Sequence, residues 1–232
     1  MKIWIGLLAL LISACASSPL SRSNPFDHTE LLLDSEEAIE GVINVSGAGI
    51  PQKLLGRAKA IVVFPNLVKA AVIAGARVGK GVVIVRSPKT GEWNPPAFIK
   101  SRQASWGLQA GIQKAELVLL VVSQKGLKQI FKTQFNLGAG PQIAIGPVGK
   151  TLKLNLPETL KDNDIFAYSR FKGLFAGLSF EGTIISSDKN ANYEYYRQPV
   201  SNRNLLVGSK GIKVPDSGQA FLERMNQLAP PN

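Results

Sequence analysis

From residue 28 onward the apolar positions switch between two periods. Leu31, Leu32, Ala38, Ile39, Val42 and Ile43 recur at helical spacing, with Glu36, Glu37 and Glu40 on the other side. This predicts an amphipathic helix over about residues 28–45. Asp27 and Glu30 stand at capping-box spacing, which lets the two carboxylates satisfy orphan N–H groups of the first turn. Gly47 and Gly49 end the helix, and Pro51 suits the first turn of a short second helix carrying Lys53, Arg57 and Lys59.

The pattern then turns to strands. Residues 60–64 are apolar and β-branched and stop at Pro65, and residues 82–85 lead through a turn at 87–91 into 93–99, a hairpin interrupted by Pro95 and Pro96. Residues 117–123 read as a buried strand and 126–131 as a short helix. Segments 135–145, 165–170, 174–180 and 183–186 complete a strand-rich body. Asp216 is placed to cap a last helix with Phe221, Met225 and Leu228 on one face, stopped by Pro230 and Pro231. Glycines such as Gly75, Gly79, Gly81, Gly138, Gly140, Gly177 and Gly182 fall within strands as often as between them, which marks bends, bulges and close backbone approach. The expected fold class is α+β: a single strand-rich domain with a strongly curved, mainly antiparallel, barrel-like sheet. An N-terminal amphipathic helix and a short C-terminal helix flank it.

The first residues follow another logic. Lys2 precedes an apolar run over residues 3–12, too short to span a bilayer, and Ser13-Ala14-Cys15 follows. Ile12-Ser13-Ala14-Cys15 is similar to a bacterial lipobox, in which the cysteine becomes an acylated N-terminus. Residues 1–14 are therefore expected to be a lipoprotein signal peptide, Cys15 the lipidation site, 15–26 a flexible tether and 27–232 the domain. Acyl chains at one cysteine exceed the two-chain threshold for stable anchoring. Ala16 after the cysteine points to the outer membrane, facing the periplasm.

Charge adds a partner class. The formal net charge is +11, and residues 50–136 hold fourteen bases against Glu92 and Glu116 alone. Anionic partners are favoured. With one cysteine and one histidine, Cys15 and His28, the chain builds no disulfide and no Cys/His zinc site, so neither metal nor cofactor is expected. Residues 75–81 have three residues between the glycines of a phosphate loop that needs four, and Gly81 follows Lys80 where Ser or Thr is required. Gly138-Ala139-Gly140 lacks the third glycine of a dinucleotide fingerprint. His28 reads as a solvated helix-start residue, and Glu92, Glu116, Glu181 and Asp188 show no spacing that pairs them. No enzyme is expected. Aromatic residues of the basic segment lie in apolar strand patterns, so nucleic acid is not expected as a partner.

From about residue 54 to 196 the chain resembles the SYLF domain, a lipid-binding module of bacterial lipoproteins and eukaryotic endocytic proteins. The runs that carry the resemblance are Ala60-Ile-Val-Val-Phe64-Pro65, Gly91-Glu-Trp93-Asn-Pro95-Pro96-Ala97-Phe98, Ser105-Trp-Gly107, Tyr168-Ser169-Arg170 and Gly173-Leu-Phe-Ala-Gly177, with Asn192 and Tyr195-Tyr196 at the end. Trp106 is bulkier than the pattern suggests. The resemblance implies binding of acidic phospholipids. The expected function is a membrane-anchored envelope lipoprotein whose basic module holds anionic phospholipid head groups. The candidate residues are Lys53, Arg57, Lys59, Lys69, Arg77, Lys80, Lys100 and Arg102, with Trp106 as an interfacial aromatic. The alternative is a structural or assembly lipoprotein of the envelope that binds a protein partner without specific lipid recognition. The acidic first helix would then dock on another subunit, or close on the domain's own basic surface as a latch.

Overall fold

A computed structural model describes residues 28–45, 49–71, 74–106, 111–138, 140–146, 162–171, 174–175 and 182–231. The signal segment, Cys15, the tether and the Asp27 cap lie outside the described residues.

Helix α1 (His28–Ile43) buries Leu31, Leu32, Ala38, Ile39 and Val42, the stripe its periodicity predicts. Ser35 interrupts that stripe without leaving its hydroxyl unsatisfied, because it donates to the Leu31 carbonyl at 2.6 Å. Gly41, a poor helix former, makes room for Arg170: a Cβ there would lie 2.1 Å from the guanidinium. That guanidinium grips Glu116 at 2.6 Å. Helix α2 (Gln52–Arg57) follows Pro51, and Lys59 lies beyond its end. This corrects the placement of Lys59 on the helix: its N–H donates to the Val121 carbonyl at 2.7 Å and its own carbonyl accepts from Arg86, so it begins the sheet.

The sheet has the order β5-β9-β3-β2-β1-β4-β7-β6, with β8 paired to β7, and curves into a half-barrel. Its four long central strands are β1 (Ala60–Ala71), β2 (Ala74–Val85), β3 (Ala97–Trp106) and β4 (Gly111–Val121). All pair antiparallel; the one parallel ladder among the described residues joins β6 (Ile143–Ile145) to β7 (Ile165–Phe171). Each long strand outruns the apolar segment that announced it. β1 does not stop at Pro65. The register shifts between Val63 and Val68 against β2 and between Phe64 and Leu67 against β4, so proline sits in a bulge where no ladder N–H is required. Gly81 answers that bulge from β2: a Cβ there would lie 2.2 Å from the Val63 carbonyl and 2.6 Å from the Phe64 ring.

Other parts of the chain depart from expectation. The strand read over 135–145 is two strands at opposite edges, β5 (Gln134–Asn136) and β6, because the chain turns at Gly140, whose φ of 102° suits glycine alone. The strand read over 174–180 agrees with β8 (Leu174–Phe175), and its remaining residues, 176–180, lie outside the described residues. Helix α3 (Gln124–Ile130) starts two residues earlier than expected, with Ser123 as its cap. After β9 (Ile184–Ser187) come two unanticipated helices, α4 (Lys189–Tyr196) and α5 (Asn202–Leu206). Their composition is polar and aromatic, and one buried amide fixes the first. Asn192 accepts from the Phe98 N–H at 2.9 Å and donates to Asn202 at 2.7 Å, extending the β3 ladder into a helix. The Tyr196 hydroxyl donates to the Pro96 carbonyl beside it. Helix α6 (Asp216–Leu228) buries Phe221 and Met225 as expected. Pro215, not Asp216, precedes it, so Asp216 serves the first turn through charge and not as a cap.

Candidate functional site

Alternation along the long strands sorts the predicted cations. Side chains of directly opposed residues share a face. Lys69 opposes Arg77, which opposes Gln103, and these lie on one face of the sheet. Arg77 donates to Gln103 at 2.7 Å, and burial holds its guanidinium below its ordinary pKa. Lys80 opposes Lys100 and Val78 opposes Arg102, on the other face. Lys53 and Arg57 stand exposed on α2, with Lys59 just beyond, nearer the far end of the strands. The single basic patch expected from the sequence is thus three separate groups. Trp106 ends β3 opposite Ala74; its side chain lies outside what the structure describes.

The group on the second face is the most concentrated. Lys80, Lys100 and Arg102 are exposed, and Lys114 joins them through its register with Val68, which in turn opposes Val78. Sequence reasoning missed Lys114; its spacing shows nothing, and only the β1–β4 register brings it here. Val78 is 49% exposed among these cations. Directly opposed like charges destabilise a ladder, so Lys80 and Lys100 raise the local potential at a cost in stability. Lys100, Arg102 and Lys114 form no ion pair among the described residues.

Helix α1 borders this face. A depression of about 590 Å³ lies between its first turns and the strands, lined by Glu30 and Asp34 on one side and Lys80, Lys100 and Arg102 on the other. The Asn66 amide donates to Asp34 at 3.0 Å and fixes one acid there. Farther along, Glu36 and Glu40 meet Arg224 of α6 at 3.4 and 2.5 Å. Burial, and then the neighbouring Glu40, push the Glu36 carboxyl above its ordinary range despite Arg224. The apolar side of α1 is committed to its own sheet, which removes that side as a docking surface for another subunit. The acidic first turns do face the domain's own cations.

Two of the groups weighed for catalysis are engaged elsewhere. Glu116 binds Arg170, Asp188 accepts from the Ala191 N–H as the cap of α4, and Glu92 lies exposed in the 87–92 turn. Glu181 lies outside the described residues. His28 is not the solvated residue expected. Its ring packs 5.0 Å from Phe98 and 6.1 Å from Tyr195, with Glu194 at 3.2 Å, because the α1 start folds against β3 and α4. No group of three or more potential metal ligands exists among the described residues. No helix among them is long and apolar enough to cross a membrane.

A family model described as Ysc84, Las17-binding protein actin regulator, matches residues 102–228, more than half of the chain. The chain belongs to the Ysc84 family. The resemblance to the SYLF domain is thereby borne out. SH3 domain-containing YSC84-like protein 1 of Rattus norvegicus is 31% identical over 173 residues, 74% of this chain and 48% of that protein. Protein YSC84 of Saccharomyces cerevisiae is 30% identical over 183 residues, 78% of this chain and 38% of its own length. LAS seventeen-binding protein 3 of the same yeast is 32% identical over 162 residues, 68% and 35% respectively. The chain thus spans less than half the length of these Ysc84 relatives. Within the family match fall Arg102, Lys114, the α3 lysines and the Asn192–Tyr196 anchor; Lys80 and Lys100 precede it.

Proposed function

We propose that this chain is an envelope lipoprotein, held at a membrane through an acylated Cys15 and facing the periplasm from the outer membrane, whose outer sheet face binds anionic phospholipid head groups. The observation that carries the lipid reading is the gathering of Lys80, Lys100 and Arg102 on one exposed face beside Val78. A ladder of cations with a partly exposed apolar residue suits the charged interface of a bilayer. Each Lys or Arg near such a surface contributes about 1 kcal/mol, weakened by salt. The lipobox-like run ending at the only cysteine supports the anchor. Membership of the Ysc84 family agrees with a binding role.

Vesicle co-sedimentation of residues 17–232, which retain every described element, tests the lipid reading. Binding should need acidic lipid, survive physiological salt and fall when Lys80, Lys100 and Arg102 become Gln. Radiolabelled palmitate incorporated by the full chain and not by its Cys15→Ser variant tests the anchor. The relatives' names favour a second reading: a protein partner, since one of them is a LAS seventeen-binding protein. Failure to bind any acidic vesicle, with a partner cross-linked to the same face in envelope extracts, would establish that reading instead.

A further inference from the structure

The opposite end of the long strands holds a cavity that the lipid-surface reading does not use. About 1070 Å³ of space, open to solvent on one side, lies where β1 begins and β2 and β4 end, bordered by α3 and the residues after α5. Its walls are fixed by hydrogen bonds from several directions. Arg86 donates to the carbonyls of Ala58, Gly91 and Ala229 at 3.1, 2.7 and 2.7 Å, and its guanidinium stacks 4.0 Å from the centre of the Trp93 ring. The Asn94 amide donates to the Leu206 carbonyl at 2.8 Å and holds the α5 end against the same hairpin. Ser123 donates to the Asp164 carboxylate and accepts the Gly126 N–H, which fixes the start of α3. A cavity braced in this way loses little ordering entropy when it is filled.

The lining separates into two chemistries. Leu127 and Phe131 of α3 supply an apolar wall, continued at the rim by Val207, which is 50% exposed. Arg57, Lys59 and Lys89 line the cavity from α2, the start of β1 and the 87–91 turn. None of the three forms an ion pair among the described residues, and one carboxylate, Glu92, lines the cavity with them. Arg86 is consumed by its three carbonyls and serves as scaffold. Uncompensated cations beside an apolar wall match a ligand that carries a negative head and a hydrocarbon tail, and water alone satisfies only half of such a lining.

We propose that this cavity is a binding site for single molecules of an anion-headed amphiphile, of the lysophospholipid or fatty-acid class. The head lies at Arg57, Lys59 and Lys89 and the chain along Leu127, Phe131 and Val207. The site shares no side chain with the Lys80–Lys100–Arg102 face, so either can fail alone.

The test is displacement of a dansyl-labelled undecanoic acid from residues 17–232, followed by fluorescence with every competitor below its micellar concentration. Oleoyl lysophosphatidic acid and oleate should displace the probe. Oleoyl lysophosphatidylcholine should compete on the order of tenfold more weakly, since its head has no net charge. Glycerol phosphate should not compete at all. Lys59→Gln with Lys89→Gln should weaken the acids about tenfold, and Val207→Asp, at a half-exposed position that tolerates a polar group, should weaken them independently. Lys100→Gln with Arg102→Gln should leave this displacement unchanged. Melting curves confirm that each variant is folded. Equal competition by the zwitterionic lipid, displacement by glycerol phosphate, absence of any displacement, or indifference to both sets of cavity variants would each overturn the proposal.

Discussion

The four long strands are each two regions joined end to end, and the junction is the Pro65 bulge. On one side of it, residues 60–64, 82–85, 97–99 and 117–121 are all buried, on both faces of the sheet. Helix α1 covers one of those faces, and Ile130 of α3, Phe135 and Ile185 belong to the core with them. On the other side the same hydrogen-bonded ladders continue, yet Ala76, Val78, Lys80, Lys100, Arg102, Gln113 and Lys114 are exposed. The backbone is in the same state in both regions. What differs is that the face carrying Val78, Lys80 and Arg102 is left open, while Ser101 and Gln103 on the opposite face stay buried. One region supplies stability, and the other offers its side chains to solvent or to a partner.

The largest effect should come from removing what covers the buried region. Deleting residues 27–45 takes away Leu31, Leu32, Ala38, Ile39 and Val42, each no more than 4% exposed. At about 1.5–3 kcal/mol for each large apolar side chain, this is comparable to the whole stability of an ordinary domain. The truncated chain should show no cooperative thermal unfolding. A helix that acted only as a detachable acidic latch would leave a cooperative transition behind, and that result would break the comparison.

A subtler version stays within β1 and β2. Phe64→Ala, at a fully buried ring against Gly81, should cost about 3–5 kcal/mol in urea unfolding. Val78→Ala, only four positions from Val82 on the neighbouring strand, should cost about 0.5 kcal/mol or less. Similar costs at the two positions would mean that the outer region is covered in solution.

This contrast also explains what could be read in advance. Runs such as Ile61-Val-Val-Phe64 and Leu117-Val-Leu-Leu-Val121 announced themselves because burial on both faces leaves no polar positions. The outer halves were missed because a ladder needs only backbone, and Ala-Gly-Ala-Arg-Val-Gly-Lys carries no apolar signal. Helix α1 was legible because its one buried stripe follows a single period. Helix α4 was not, since what holds it is the Asn192 amide meeting the Phe98 backbone across a large sequence separation. The candidate site was legible as a charge excess and not as a place. Which of Lys69, Arg77, Lys80, Lys100, Arg102 and Lys114 share a face depends on the register past the bulge, and no local spacing encodes it.

A pH-dependent effect is tied to the buried end. Burial alone would raise the Asp164 pKa, but the Ser123 hydroxyl, the Gln142 N–H at 2.9 Å and the Lys125 ammonium at 3.2 Å hold it below the ordinary carboxylate value. The native state therefore holds that proton less tightly than the unfolded chain. Its contribution is complete above about pH 4 and is lost as pH falls through the depressed native value. Asp164→Asn should cost about 1–3 kcal/mol at neutral pH and flatten that part of the acid limb. An acid limb identical to that of the parent chain would place the Asp164 interactions outside the stabilising region.

The smallest effect on folding, and the sharpest on function, belongs to the exposed cations. Lys100→Gln with Arg102→Gln removes two side chains that form no ion pair among the described residues, and it relieves the opposition of Lys100 to Lys80. Stability should stay within about 0.5 kcal/mol of the parent, on the favourable side if anything. Affinity for acidic vesicles should fall about thirtyfold, since two charges at about 1 kcal/mol each act together. Lys69→Gln with Arg77→Gln removes the same charge from the same strands but from the opposite face, where Arg77 is bound to Gln103. If charge acts through a defined face, the second pair should spare vesicle binding and lose stability instead. Equal losses of vesicle affinity from both pairs would mean that the membrane senses only the net charge of the outer strands. The alternation that separates the two faces would then carry no functional meaning.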